Sequence, residues 1–249
     1  MALIFQHKSK MSFSLVGTAW NLAGFESYLV NKNLGWADSV TLHHTGSPDL
    51  SNRREGLILQ HIRNIQFYYE KRKGWSRGPH LFVDDVDVNG MSPLTERGIH
   101  AVSFNSHSIG VEVLGNYDEE DPKSGRGLKC WIMAAKTTAI LLKRMGLEAN
   151  EKTILFHRDD PKTRKSCPGD KVEKAWVISL VRAAMADEPA PVEIEEREEN
   201  ERMKAIEWQM KAILKENADL SEERWEELEE RLMNIDWQVR KILKGEAWI

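Results

Sequence analysis

The sequence predicts an α/β domain built on a mostly internal β-sheet, followed by a separate helical tail. Three observations lead there. Short runs with strand character are interleaved with longer runs of helical period. The charge is uneven: residues 189–249 carry ten Lys and Arg against seventeen Asp and Glu, a net of −7, which leaves +3 on the first 188 residues of a chain with net charge −4. The tail also repeats itself at an offset of 29 residues.

Taken in order, the chain starts extended and enters a first helix near residues 22–30. Residues 39–45 alternate as a strand does, with Val40 and Leu42 on one face, and Gly46, Ser47 and Pro48 stop it. Residues 53–72 place Leu57, Ile58, Ile62, Ile65 and Tyr69 at helical spacing. Residues 80–88 read as a strand with a turn at Asn89-Gly90. Residues 108–114 form another strand, closed by Gly115-Asn116. Residues 128–145 form a strongly apolar helix that ends at Gly146. Residues 153–156 are a short buried strand, and 171–186 the next helix. This body spans residues 1–187. Residues 188–201, with Pro189, Pro191 and an acidic run, read as a linker. Residues 202–249 form a helical tail with two repeats, as a hairpin or coiled coil. Its apolar positions 225, 228, 232, 235, 239 and 242 step 3-4-3-4-3, a heptad seam and a route to homo-oligomers.

Composition narrows the function classes. The hydrophobic set makes up 41% of the 249 residues and the charged set 30%, which suits a packed core. A net charge of −4 gives no general pull toward nucleic acid or an anionic membrane. Two cysteines cannot form a disulfide scaffold, and no apolar stretch reaches the ~18 residues of a transmembrane helix. Lys8 and Lys10 precede an uncharged run from Met11 to Phe25 that loosely imitates a secretory signal. Its Ser12, Ser14, Thr18, Trp20 and Asn21 and the lack of a small-x-small cleavage site speak against one. The expectation is a chain that is cytoplasmic as synthesised.

Chemistry concentrates at three places where strands end: His43-His44-Thr45, His157-Arg158-Asp159, and Cys167-Pro168-Gly169, ten residues after His157. Two imidazoles and one thiolate make a three-ligand zinc site. Such a set leaves the fourth position for water, the arrangement of a catalytic zinc. A cysteine hydrolase using Cys167 and His157 is the chemical alternative, weakened because Pro168 and Gly169 follow the thiol where an activating helix would normally begin.

These blocks resemble the type 2 N-acetylmuramoyl-L-alanine amidases, whose fold is shared by phage lysozyme-amidases and animal peptidoglycan recognition proteins. The resemblance covers roughly residues 36–180. It rests on Leu42-His43-His44-Thr45, Gly78-Pro79-His80, Asn105 with Ser108-Ile109-Gly110-Val111-Glu112, Gly115, His157-Arg158-Asp159, and Lys165-Ser166-Cys167-Pro168-Gly169, in the family's order. It implies a central mixed sheet flanked by helices. It implies Zn2+ held by His43, His157 and Cys167, with Glu112 as general base and Lys165 donating to the developing oxyanion. It places His100, with Asn105, near bound substrate. His44 is not a ligand in the family and is expected to pack beside the site, and Asp159 to orient a ligand imidazole. Many members carry a catalytic tyrosine where this chain has Pro79, which shifts the burden to Glu112.

The function expected from this resemblance is zinc-dependent hydrolysis of the amide between N-acetylmuramic acid and L-alanine of the stem peptide. The substrate partner is peptidoglycan or a muropeptide. An endolysin that reaches the wall after release is favoured over a cytoplasmic muropeptide-recycling amidase, because of the appended tail. A non-catalytic peptidoglycan-binding module is the alternative from another class. Non-catalytic recognition proteins of this fold typically lose the cysteine ligand, and Cys167 is present here.

Overall fold

The computed structural model describes residues 13–188. The predicted linker from residue 189 onward and the two tail repeats lie outside the described residues. Within them, six strands form one mixed sheet: β1 (Ala19–Trp20), β2 (Ser39–His44), β3 (Leu81–Val83), β4 (Val88–Gly90), β5 (Ser108–Val113) and β6 (Ile154–Phe156). Their spatial order is β1-β4-β3-β5-β2-β6. The four strands β3, β5, β2 and β6 run parallel, and β4 and β1 add an antiparallel edge. The helices are α1 (Leu22–Leu29), α2 (Leu59–Tyr68), α3 (Gly125–Met145) and α4 (Lys174–Met185). The predicted mixed sheet flanked by helices is therefore present.

Burial explains the central strands. β2 is buried along almost its whole length on both faces, the signature of a parallel strand covered on either side. Val40 and Leu42 of β2 line up with Ile109 and Val111 of β5 and with Ile154 and Phe156 of β6, forming an apolar layer. α3 packs on β2, β3 and β5, and α4 packs on α3, where the Trp131 and Trp176 rings lie 6.1 Å apart and Val177 and Val181 are buried. α3 ends at Gly146 in the left-handed region, φ 70°, as read from the sequence. On the α2 side, Ile62 meets Phe82, Met91, Leu114 and Phe13 in a second apolar cluster.

Two local expectations are corrected. The turn between β3 and β4 is not at Asn89-Gly90, which lie within β4. It is made by buried Asp84, whose Oδ1 accepts from the N–H groups of Val86 and Asp87 at 2.8 and 2.7 Å. Gly90 is there because side chains cross it: a Cβ would lie 2.6 Å from Val16 and 2.8 Å from Trp20. Helix α2 starts at Leu59 rather than 53. Gly56 turns at φ 80°, and the Leu57 N–H donates to Asp84 Oδ2 at 2.6 Å, which ties this segment to the hairpin instead. No helix among the described residues is long and apolar enough to cross a membrane.

Candidate metal centre

Parallel pairing delivers the site. Leu42 of β2 is the register partner of Phe156 of β6, so His43, the next residue of β2, and His157, which opens the turn directly after β6, emerge side by side. On the other flank, His43 is the register partner of Glu112 of β5. All three lie at the carboxyl ends of parallel strands, where α/β sheets open their ligand crevices. Cys167 arrives on a loop held to the turn after β6. The Arg158 N–H donates to the Cys167 carbonyl at 2.8 Å, and the Arg158 guanidinium donates to the carbonyls of Ser166 and Gly169 at 3.2 and 2.7 Å. Asp118 fastens the loop from outside, accepting from Ser166 Oγ and the Asp170 N–H at 2.9 and 2.8 Å. Gly169, at φ 113°, permits the close approach to Tyr117, whose carbonyl carbon would lie 2.5 Å from a Cβ.

The three expected ligands converge. One donor atom from each of His43, His157 and Cys167 lies within 4.8 Å of the others. His43 Nδ1 is 3.1 Å from His157 Nδ1 and 3.7 Å from Cys167 Sγ. A tetrahedral zinc with bonds of about 2.0 Å to nitrogen and 2.3 Å to sulfur sets its ligand atoms roughly 3.3–3.6 Å apart. The donor types and the two distances from His43 therefore fit zinc.

The electrostatics of the three groups suit metal binding. Burial, reinforced by the neighbouring charges of His100 and His157, holds His43 well below the usual histidine range. Burial and then the Lys165 charge lower His157 in the same way. Both rings are thus neutral at pH 7, as ligation requires. Burial, and then the Glu112 carboxylate, push the Cys167 thiol far up. The protein alone therefore does not activate this sulfur as a nucleophile; a bound cation would deprotonate it. Burial raises Glu112 to about 8, with Lys165 pulling the other way. Lys165 is exposed, and its charge reaches His43, His157, Glu112 and Cys167.

These groups floor a cavity of about 660 Å3, with Pro79 on one wall and Asn64, Tyr68, Tyr69 and Trp75 on another. Tyr69 is a residue the sequence reading assigned only to a helix face. Its ring stacks near Trp75, 5.2 Å between centroids, and occupies the space that a side chain at Gly78 would fill.

The other residues singled out in the sequence lie around these three. His44 turns its ring away from the donors. Its Nδ1 accepts from the Tyr117 N–H at 3.1 Å, while its own backbone N–H approaches Cys167 Sγ at 3.5 Å. Asp159 does not touch the His157 ring. Its carboxylate accepts from the Phe156 N–H and from Lys174 Nζ, both at 2.7 Å, and so shapes the strand-end turn. Asn105 braces a loop, its Oδ1 accepting from the N–H groups of His100 and Ala101 at 2.8 and 2.9 Å. His100 lies behind His43 rather than only facing the groove, with its Nδ1 3.1 Å from His43 Nε2. Arg158, Asp118, Gly110 and Gly169, which hold the site together, carried no assigned role in the sequence reading.

The profile of the N-acetylmuramoyl-L-alanine amidase family matches residues 34–170, more than half of the chain and every residue of the centre. The chain belongs to this family. Among curated relatives, peptidoglycan-recognition protein SC2 of Drosophila simulans is 27% identical over 154 residues, covering 61% of this chain and 73% of the relative. Its namesake in Drosophila melanogaster matches to the same extent. Similar solved structures include the N-acetylmuramoyl-L-alanine amidase LysC from Clostridium intestinale (19% identity, TM-score 0.45, 63% of this chain and 89% of that one). Drosophila PGRP-LB is another (19% identity, TM-score 0.45, 64% and 83%).

Proposed function

We propose that this amidase-family chain is a zinc-dependent hydrolase of the amide bond between the lactyl group of N-acetylmuramic acid and L-alanine of the stem peptide, working in an endolysin-like setting. The observation that carries the reading is the meeting of two imidazole nitrogens and one thiol sulfur beside a carboxylate, on the floor of an open cavity. When bound there, zinc supplies carbonyl polarisation and a water acidified to a pKa of ~7.

The chain's own residues would do the rest. His43 and His157 present neutral nitrogens. The Glu112 carboxylate, beside His43, takes the proton of the attacking water and returns it to the leaving amine. Its raised value belongs to the metal-free site, and positive charge nearby, Lys165 included, draws it back toward the ionised form. In this reading Lys165, which lines the same cavity, donates to the amide oxygen as it gains charge, a contribution of about 3–4 kcal/mol by analogy with single oxyanion donors. The walls of Tyr68, Tyr69 and Trp75 offer apolar and aromatic surface for the sugar and peptide to lie on.

The test is digestion of purified peptidoglycan with and without a chelator, read by mass spectrometry. Free stem peptides with a new L-alanine amino terminus, lost on chelation and restored by zinc, are the expected result. Release that survives chelation would sink the metal reading, and binding to the wall without any release would leave a recognition module. Comparing intact wall with soluble anhydro-muropeptides separates an endolysin from a recycling enzyme.

A further inference from the structure

We infer that His100 is a positioning residue that sets the tautomer of His43, so that the nitrogen facing the other two ligands carries a lone pair and not a proton. The inference rests on the zinc reading above for its consequence, but its argument is one of donors and acceptors.

The chain of hydrogen bonds starts at a backbone carbonyl. His100 Nε2 lies 3.0 Å from the Ser108 oxygen. A carbonyl only accepts, so Nε2 carries the ring hydrogen. A neutral imidazole has one donor and one acceptor, which makes His100 Nδ1 an acceptor. Facing it at 3.1 Å is His43 Nε2, which must therefore donate. That leaves His43 Nδ1 unprotonated, and Nδ1 is the atom 3.1 Å from His157 Nδ1 and 3.7 Å from Cys167 Sγ. Each step follows from the one before, and the protein needs no metal to establish it.

The surroundings keep His100 in place. Gly110 lies directly under the ring: a Cβ there would sit 2.5 Å from His100 Cγ, so any other residue would lift the ring off β5. Asn105 Oδ1 holds the backbone N–H groups on both sides of the His100 carbonyl carbon, fixing the loop that carries the ring. The two ring planes stand at 89°, with 5.1 Å between centroids, and the facing nitrogens are 3.1 Å apart. Groups that orient a metal-binding histidine through its second nitrogen typically change metal affinity 10–100-fold when removed. Asn105 and Gly110 thereby also acquire a part in metal binding, although neither touches the donors.

The experiment uses the full chain, stripped of metal, and reads the histidine tautomers from two-bond 1H–15N spectra, with the His43 signals assigned by their loss in His43→Asn. Zinc affinity is then measured by competition with a chelator. Wild type is expected to show His43 protonated on Nε2 before any zinc is added. His100→Leu removes the acceptor, and should scramble the His43 tautomer and weaken zinc about 10–100-fold. His100→Asn places a carboxamide oxygen where the ring Nδ1 stood and should recover most of that loss. A His43 protonated on Nδ1 in the wild type overturns the relay, and so does a folded His100→Leu chain with unchanged zinc affinity and only a raised KM, which would make His100 a substrate contact. Should His100→Leu fail to fold, the wild-type tautomer and the Asn variant still decide. A wild type that binds no zinc but keeps the Nε2–H form sinks the zinc reading and leaves the relay standing.

Discussion

His43 and Glu112 are register partners on the parallel strands β2 and β5, so an imidazole and a carboxylate rise side by side on the same face of the sheet. The pairing separates binding from proton transfer: one residue belongs to the donor set and its neighbour does not. Glu112→Gln is nearly isosteric and leaves the three donors alone. It should keep about one zinc per chain, by elemental analysis, while turnover falls about 10²–10⁴-fold. Near-normal turnover would remove Glu112 from the mechanism.

The same carboxyl makes a thermodynamic prediction for metal-free protein. Burial raises Glu112 from its ordinary 4.5 to about 8, so between these values the folded chain holds a proton that the unfolded chain has released. The contribution of this group to stability is then complete below about pH 4.5 and is lost as the pH climbs through about 8. Gln carries no such proton. Melting curves of chelated wild type and Glu112→Gln should run together near pH 5. The wild type should fall progressively below the variant up to about pH 8. Parallel curves across that range would mean that the carboxyl is well solvated.

The meeting of His43, His157 and Cys167 was legible in the sequence because few residue types can bind a metal, and each of the three stands at the end of a strand or beside one. What surrounds the trio was less legible. Asn89-Gly90 carried the strongest short-range turn signal, yet a buried Asp84 could satisfy three N–H groups at once, and Gly90 was needed flat beneath Val16 and Trp20. Periodicity assigned Leu57 to a helix that begins two residues later, because tertiary pairing to Asp84 outcompetes the helical turn. Asp159 and Asn105 spend their side chains on local backbone, a use that sequence spacing does not distinguish from work at a metal. His100 was placed in the groove because nothing in its own segment reveals that Ser108 and His43 stand on either side of its ring.

Cys167→Ser tests the sulfur. The side chain is buried, and the change is small in volume, so the fold should survive with a near-wild-type near-UV spectrum. Serine is a harder and far less acidic ligand than thiolate, so zinc retention and hydrolysis should both be lost while peptidoglycan is still pulled down. A thiol hydrolase predicts a different pattern: activity insensitive to chelator and abolished by alkylation. In the metal-free site the raised thiol keeps alkylation slow unless the pH is high.

Two glycines in the left-handed region separate backbone strain from site geometry. Gly146 ends α3 at φ 70° with nothing within 4 Å of a prospective Cβ. Gly146→Ala should cost only the conformational term, about 1–2 kcal/mol, and leave zinc affinity unchanged. Gly169 sits at φ 113°, and its prospective Cβ would meet the Tyr117 backbone at 2.5 and 2.6 Å. Backbone does not yield as a side-chain tip does, so Gly169→Ala must move the loop. That loop carries Cys167 two residues upstream and is pinned by Arg158 and Asp118 on its other sides. The displacement is therefore expected to reach the sulfur. Gly169→Ala should lose at least about 2 kcal/mol, roughly 4–8 °C in melting temperature, and weaken zinc at least tenfold. If both variants lose stability equally and both keep full zinc affinity, the Cys167 loop has slack that this packing denies, and the sulfur's position is not set by Gly169.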